Sequence, residues 1–205
     1  KTLKKYAIAR IPFISVYSPE RARILEIIKG IADTIKLPFF VHTLSKGMFD
    51  LATGKAANDD RSIPGALDFI SQHIRQRQNL SFVLTEVSDI EDDTLTARHF
   101  LDTVMLAEEC GAIIIIITTK PVWNQLQRLG MSVTLDLPME EEMFQIIRES
   151  IEPYQRDIPI EWDINDFKTA ATVLTGLSRI EAQNVIATLI ANKAIRKSDM
   201  PELRY

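Results

Sequence analysis

Short apolar runs alternate with longer segments of helical periodicity over most of the chain. Each run is rich in β-branched and aromatic residues and is flanked by polar or turn-forming residues, as buried strands are. Five runs are predicted to be strands: Phe13–Tyr17, Phe39–Leu44, Leu80–Thr85, Ile113–Ile117 and Val133–Leu137. The fourth consists of consecutive isoleucines, which is typical of a strand covered on both faces in the middle of a parallel sheet.

Helices are predicted between these strands. Ser18, Pro19 and Glu20 directly follow the first run and have the residue types of an N-cap, a first helical position and a first turn. Isoleucines then recur at helical spacing as far as Ile35. Further helices are predicted to begin at Pro64 and to cover 94–109 and 123–129.

The polar segment Ser45–Arg61 contains Gly47 and Gly54 and is predicted to be a long loop. Elsewhere strands and helices alternate, so the fold class is predicted to be α/β, with a five-stranded parallel sheet in an αβα sandwich. Open parallel sheets bind their ligands outside the carboxyl ends of the strands. We therefore expect any chemistry at that side of the sheet, which is called the carboxyl edge below.

From Met139 onward the periodicity is purely helical. Asn165 is predicted to cap one helix, and Ser178 with Glu181 has the spacing of a capping box for the last one. The sequence thus predicts an αβα core over 1–138 and a small helical subdomain over 139–205. Because the chain lacks an initiator methionine, we expect a fragment of a longer protein.

Composition narrows the possible functions. Lys and Arg number 24 and Asp and Glu 28, giving a net charge of −4, so a protein whose main task is to coat nucleic acid is not expected. The single cysteine, Cys110, excludes a disulfide framework and a cysteine-based zinc site. No apolar run approaches the roughly 20 residues of a membrane helix, and we expect a cytoplasmic protein.

Three stretches resemble AAA+ ATPases. Val133–Pro138, followed by acidic residues, is similar to the junction between the fifth strand and the helical lid. Leu174–Ala182 is similar to the lid stretch that carries sensor 2, with Arg179 as its sensor-like residue. Thr118 and Thr119 stand where the fourth strand carries sensor 1. The resemblance implies the fold of P-loop NTPases with a helical lid.

Over almost its whole length the chain resembles one group of AAA+ proteins, shared by cyanobacteria and algal plastids and known as a conserved hypothetical chloroplast reading frame. The similarity is to the N-terminal, degenerate ATPase-like region, through the helix start Ser18–Arg21 and the lid motif Gly176–Ala182. The resemblance implies that an intact ATPase module, with its ATP and Mg²⁺, adjoins this region. It also implies that the partner is that module or further copies of the chain.

The chain departs from ATPases at the turn between the first strand and the first helix. A phosphate loop needs Gly-x-x-x-x-Gly-Lys-Ser/Thr there, because backbone N–H groups must wrap the phosphates. Tyr17–Ala22 contains no glycine, Pro19 has no N–H, and Glu20 repels phosphate. The pair Gly54-Lys55 lacks both the earlier glycine and the following hydroxyl. We expect no working phosphate loop, no catalytic residue and no cofactor in this chain.

A remnant of the nucleotide pocket is nevertheless predicted at the carboxyl edge. Glu86 could replace the metal-binding acid after the third strand, although Val87 cannot act as a base; the alternative is a solvated acidic loop. Thr118 or Thr119 could be a polar sensor or could simply end the strand. The predicted remnant comprises Ser18, Glu20, Arg21, Glu86, Thr118 and Thr119.

Arg128 stands, relative to Pro138, where AAA+ proteins place the arginine finger that reaches a neighbouring subunit. The permanently charged fork of an arginine suits the stabilisation of a γ-phosphate in trans. The alternative is a solvated arginine at the end of a helix, favoured there by the helix dipole. Arg179 has a similar alternative as an ordinary surface residue.

Three functions remain open from the sequence. The preferred one is a non-catalytic AAA+-like module that serves in oligomerisation or in regulation of an adjoining ATPase. The second is a nucleotide-binding ATPase that uses an unconventional loop over Gly47–Lys55. The third is a clamp-loader-like subunit that binds nucleic acid through basic side chains, namely Lys1, Lys4, Lys5, Arg10, Arg196 and Lys197.

Overall fold

The computed structural model describes residues 2–203. They form two compact units that divide between Leu135 and Asp136. In the described residues, the first unit contains a seven-stranded sheet with five helices, whereas the second is built of helices. None of the described helices combines the length and the apolarity needed to cross a bilayer.

The first unit follows the predicted alternation of strands and helices. Its helices are α1 (Thr2–Ile8), α2 (Arg21–Ile35), α3 (Ile63–Gln76), α4 (Leu95–Glu109) and α5 (Asn124–Gln127). Its strands are β1 (Phe13–Tyr17), β2 (Phe39–Thr43), β3 (Gly47–Asp50), β4 (Ala56–Asn58), β5 (Ser81–Leu84), β6 (Ile113–Thr118) and β7 (Met131–Thr134). Helix α1 lies in the basic N-terminal stretch, where the sequence pattern had indicated no element.

The strands form one mixed sheet in the order β4-β3-β2-β5-β6-β1-β7. The five predicted strands are β2, β5, β6, β1 and β7, and all of their mutual pairings are parallel. The expected α/β class is therefore confirmed. The expected number of strands is wrong, because β3 and β4 extend the sheet in antiparallel pairing.

The two additional strands come from the segment that was predicted to be a loop. Thr43 pairs with Gly47 across a short turn, and Gly47 has a left-handed φ of 73°. A β-carbon at Gly47 would lie 2.4 Å from the carbonyl oxygen of Asn58. Only glycine fits this position, since it must both turn the chain and let another strand approach closely.

The isoleucine strand β6 separates two apolar layers. Ile113, Ile115 and Ile117 pack in a cluster that includes side chains of α1 and α2. Ile114 and Ile116 pack in a second cluster that includes side chains of α3 and α4. Every residue of β6 is buried, as expected for a central parallel strand with helices on both faces.

Helix α2 begins later than the sequence predicted. Its first residue is Arg21 and its N-cap is Glu20, which makes no side-chain capping bond. Ser18 was expected to be the cap, but its hydroxyl accepts a hydrogen bond from the Glu20 amide at 3.1 Å in the preceding turn. Ser62 and Thr94, in contrast, cap α3 and α4 in the usual way.

Over residues 136–203, the second unit contains three helices and two 3₁₀ turns. The helices are α6 (Glu140–Ile151), α7 (Ile164–Leu174) and α8 (Arg179–Ala191), and the 3₁₀ turns cover Glu152–Tyr154 and Lys197–Leu203. Ser178 and Glu181 form the predicted capping box of α8. The cap of α7 is Asp163 rather than Asn165, because Asp163 can accept two amide hydrogens within the first turn.

Candidate functional site

The turn between β1 and α2 is the centre of the candidate site. Only Ser18, Pro19 and Glu20 separate the last residue of β1 from the first residue of α2. The Ser18 amide donates to the carbonyl of Thr118 at 3.1 Å, which ties the turn to the end of β6. A phosphate loop has several glycine-permitted amides that converge on one anion. This short turn offers no such cradle, since one of its amides belongs to the β6 contact and Pro19 has none.

A buried ion pair lies at the start of α2. Glu20 Oε2 and Arg23 Nη1 are 2.8 Å apart, and the two residues are only 5% and 6% exposed. Charges removed from water in this way are tolerated only when they are paired. Glu20 is therefore the ion-pair partner of Arg23. Its carboxylate lies in the turn where P-loop NTPases have their phosphate loop.

A second ion pair joins the beginning of α2 to the segment after β5. Arg21 Nη1 and Glu86 Oε1 are 2.6 Å apart, and both side chains are partly exposed. The other oxygen of Glu86 accepts the Leu44 amide at 3.0 Å. In the AAA+ comparison made from sequence, these are the positions of the phosphate-binding helix start and of the metal-binding acid. Here the cation and the carboxylate neutralise each other.

Thr118 is buried at the end of β6, whereas Thr119 is exposed. The Thr118 hydroxyl donates to the Lys120 carbonyl and accepts the Lys120 amide, both at 3.0 Å. These bonds turn the chain at the strand end, which is the simpler of the two roles considered for this residue. Of the predicted remnant, the structure brings Ser18 to Thr118 and Arg21 to Glu86.

The acidic segment after β5 is largely paired with neighbouring cations. Glu91 lies 2.8 Å from Lys120, and Asp93 lies 2.6 Å from Arg98. Hydrogen bonds from these cations lower the pKa of both carboxyl groups. Within residues 2–203, no cluster of three or more His, Cys, Asp or Glu side chains could hold a metal ion.

Arg128 is exposed at the end of α5, directly before β7. Within the described part of the chain its side chain makes no hydrogen bond or ion pair. Gly130, two residues later, packs so closely on Phe13 that a β-carbon could not be accommodated, which places this turn beside the amino end of β1. Arg128 is thus at the side of the sheet opposite to Glu86. Arg179 lies in the second unit, 3.6 Å from Glu149.

The segment proposed for unconventional phosphate binding crosses the sheet, because Gly47 pairs with Thr43 at the carboxyl end of β2. Lys55 is on the β3–β4 hairpin, and its carbonyl accepts the Asp50 amide at 2.9 Å. Leu51 donates in turn to Phe39, the first residue of β2, at 2.8 Å. The hairpin therefore carries Lys55 away from the carboxyl edge. Gly47 and Lys55 thus lie at opposite sides of the sheet, which disfavours a single phosphate site built from Gly47–Lys55.

Two of the basic side chains considered for nucleic acid are paired within the protein, whereas Lys4, Lys5 and Arg196 are exposed. Arg10 donates to the Gly111 and Leu80 carbonyls at 3.0 and 3.3 Å. Lys197 pairs with Asp163 and Asp166 at 2.9 and 3.0 Å. Lys1 lies outside the described residues. Arg10 and Lys197 are thus already occupied, which weakens the case for a nucleic-acid site that uses all six cations.

Sequence patterns missed two important groups. The Arg10 guanidinium joins the amino ends of β5 and β6 and also contacts the Ser81 hydroxyl at 3.3 Å, which only the tertiary structure could reveal. The β2–β3 hairpin, in contrast, had a sequence signal. Leu44-Ser45-Lys46 forms a three-residue hairpin loop, and the left-handed Gly47 that follows it is a recognisable sequence signal.

Solved structures show which known fold this chain has. A chain of the HORMA:CdnC:Trip13 complex from E. coli MS115-1 matches 97% of this chain over 75% of its own length, with a TM-score of 0.65 and 11% identity. Trip13 from Rhizobiales matches 99% of this chain over 76% of its own length, with a TM-score of 0.64 and 12% identity. The FIGL-1 AAA domain in complex with ADP matches 94% of this chain over 65% of its own length, with a TM-score of 0.63 and 12% identity. The chain thus has the fold of AAA+ P-loop NTPases.

The family follows from the sequence of the first unit. Residues 1–135 match the family described as the N-terminal domain of SpoVK-like AAA ATPases, and the chain belongs to this family. The matched region ends at the same residue as the first compact unit. A comparison with curated protein sequences found no match.

Proposed function

We propose that this chain is a non-catalytic AAA+-like module that acts in oligomerisation or in regulation of an adjoining AAA+ ATPase module. The observation that carries the proposal is the Arg21–Glu86 ion pair beside a three-residue, glycine-free turn. Hydrolysis of ATP needs a cradle for the phosphates, a cation free to neutralise them and an acid free to hold Mg²⁺. Here the cradle is missing, and the cation and the acid are paired.

The proposed adjoining module would bind ATP and Mg²⁺, and this chain would carry no cofactor of its own. The family match to an N-terminal domain of AAA ATPases supports such an arrangement. Within that family, we propose that the chain is of the kind shared by cyanobacteria and algal plastids, with an AAA+-like core over 1–138 and a lid-like subdomain over 139–205. The proposed setting is the cytoplasm.

Arg128 is our candidate for action between subunits. It lies at the side of the sheet opposite to the carboxyl edge, so it cannot reach a nucleotide position in its own copy. Its exposed side chain has no partner within residues 2–203, which leaves the guanidinium available to another module. Thr118, Thr119 and Arg179 are proposed only as remnants of sensor positions.

Calorimetric titration with ATP in the presence of Mg²⁺ tests the proposal. The wild-type chain is expected to release no heat of binding at micromolar ATP, since Arg21 and Glu86 at the carboxyl edge are paired with each other. The Glu86→Gln variant is a matched control, because it releases Arg21 but restores no phosphate loop, and it should also fail to bind. Saturable, Mg²⁺-dependent binding by the wild-type chain in the micromolar range would overturn the non-catalytic assignment.

Multi-angle light scattering tests the oligomerisation. We expect self-association that weakens in Arg128→Ala but not in Arg77→Ala, which removes another exposed arginine of the same unit. If the wild-type chain is monomeric at all accessible concentrations, self-association is contradicted. The proposed contact would then be with the adjoining module only.

A further inference from the structure

His42 is a buried polar side chain that the proposed function does not use. It lies in β2 and is completely inaccessible to solvent. Neither ring nitrogen has a hydrogen-bond partner within the described part of the chain. Its neighbours in the sheet are Met48 of β3 and Leu84 of β5. Buried polar groups without partners are rare in folded proteins, and such a group is often tied to a functional role.

The backbone connects His42 directly to the carboxyl edge. The His42 carbonyl accepts both the amide and the hydroxyl of Thr85, at 3.2 and 3.1 Å. Glu86 follows Thr85 and accepts the Leu44 amide at 3.0 Å. The histidine and the carboxylate are thus held by adjacent bonds between β2 and the end of β5.

The charges that face His42 come from two segments. Asp60, between β4 and α3, and Glu86, after β5, are the carboxylates whose charge acts on the ring, and the Asp60 and Arg61 carbonyls also lie close to it. Burial nevertheless dominates and lowers the pKa of His42. The ring is therefore neutral at pH 7, and acidification would place a cation in an apolar pocket beside two carboxylates.

We propose that His42 is a proton-operated switch of the carboxyl edge, in which the protonated imidazolium draws Glu86 away from Arg21 and loosens the backbone around Leu44. One proton from solvent adds to the free ring nitrogen, and no covalent bond is broken. Glu86 exchanges one cationic partner for another, so the cost of a buried cation is partly offset. Arg21 is left without its carboxylate, which makes the edge more positive in acid.

Hydrogen exchange at two pH values tests the switch. In the wild-type chain, the amides around Leu44 and over 59–62 are expected to exchange at least about tenfold faster at pH 5.5 than at pH 7.5, after correction for intrinsic exchange. His42→Phe should abolish the difference, because phenylalanine fills the pocket and cannot be protonated. His99→Gln is the matched control, since it removes a histidine that pairs with Asp68 on the outer helices, and it should keep the difference.

Two results would overturn the proposal: the same pH dependence in His42→Phe, or its absence in the wild-type chain. If His42→Phe does not fold, NMR titration of the wild-type histidines replaces it. The His42 ring should then titrate below its ordinary value, together with the Leu44 amide shift and the Arg21 side-chain signals. Titration of His42 at the ordinary value, or without change at Leu44 and Arg21, would equally refute the switch.

Discussion

Arginines at the two ends of the parallel strands in the first unit have different kinds of partner. At the amino end, the partly buried Arg10 donates to neutral oxygens of Leu80, Ser81 and Gly111. It keeps its charge and links the ends of β5 and β6, where the Leu80 carbonyl also accepts the Ile113 amide at 3.0 Å. This arginine is a structural clamp whose partners are fixed by the sheet.

At the carboxyl edge the arginines meet carboxylates instead. Arg23 pairs with Glu20 in the interior, and Arg21 pairs with Glu86 near the surface. In an ATPase of this fold, cations at that edge would wait for phosphate. The charged side chains at the carboxyl edge are therefore paired with each other, whereas Arg10 at the amino end binds neutral oxygens. Four substitutions or conditions test that contrast.

The largest effect is expected from the buried pair. Glu20→Ala leaves the Arg23 guanidinium with one fewer partner in a site from which water is excluded, and should cost about 3 kcal/mol of the free energy of unfolding. Urea denaturation measures the loss. Replacing both Glu20 and Arg23 by Met should restore most of the stability, because no charge remains buried. Equal losses in the single and double variants would show that packing, and not the charge, matters here.

The clamp at the amino end should give the next largest effect. Arg10→Ala removes several hydrogen bonds from a charged donor to partly buried oxygens, and should cost about 2 kcal/mol. Arg10→Lys keeps the charge but lacks the planar fork, so it should recover only part of the stability. The same urea titration applies, with exposed Lys4→Ala as the control. Full recovery by lysine would mean that the charge alone is needed.

Lowering the pH should distinguish the carboxyl edge from the amino end of the strands without any substitution. The pKa of His42 is lowered in the folded state, so the folded chain binds fewer protons than the unfolded chain below about pH 6.5. The destabilisation from His42 is therefore absent above that pH and grows as the pH drops toward 5.5. Carboxyl groups with lowered pKa values, such as Asp163 at about 2, act only in more acidic solution. His42→Phe should show no loss between pH 7.5 and 5.5.

The smallest effect is expected at the exposed pair. Arg21→Ala breaks a contact in which the side chains are 48% and 37% exposed, and such pairs contribute less than about 1 kcal/mol. The loss should shrink further in high salt, where exposed charges are screened. Thermal unfolding with and without added salt provides the measurement. A loss as large as that of Glu20→Ala would remove the distinction between the buried and the exposed pair.

Local periodicity and turn chemistry determined much of this protein. The five parallel strands, the helices between them and the Ser178–Glu181 capping box follow from patterns within a few residues, and the structure confirms them. The lack of glycine between Tyr17 and Ala22 was equally visible, because a phosphate loop is defined by consecutive residues. The sequence by itself therefore determined the α/β class and showed that the phosphate-loop motif is missing between β1 and α2.

Only the tertiary structure decided how the charged residues are used. Arg21 meets Glu86, and Arg10 meets Gly111, across long separations in sequence, so no local pattern contains these pairs. The β3–β4 hairpin placed Lys55 at the amino end of β2, which excluded it from the carboxyl edge. His42 was visible only as a histidine within a strand, since its burial depends on every element packed around it. Residue types can be read locally, but partners and burial are properties of the whole fold.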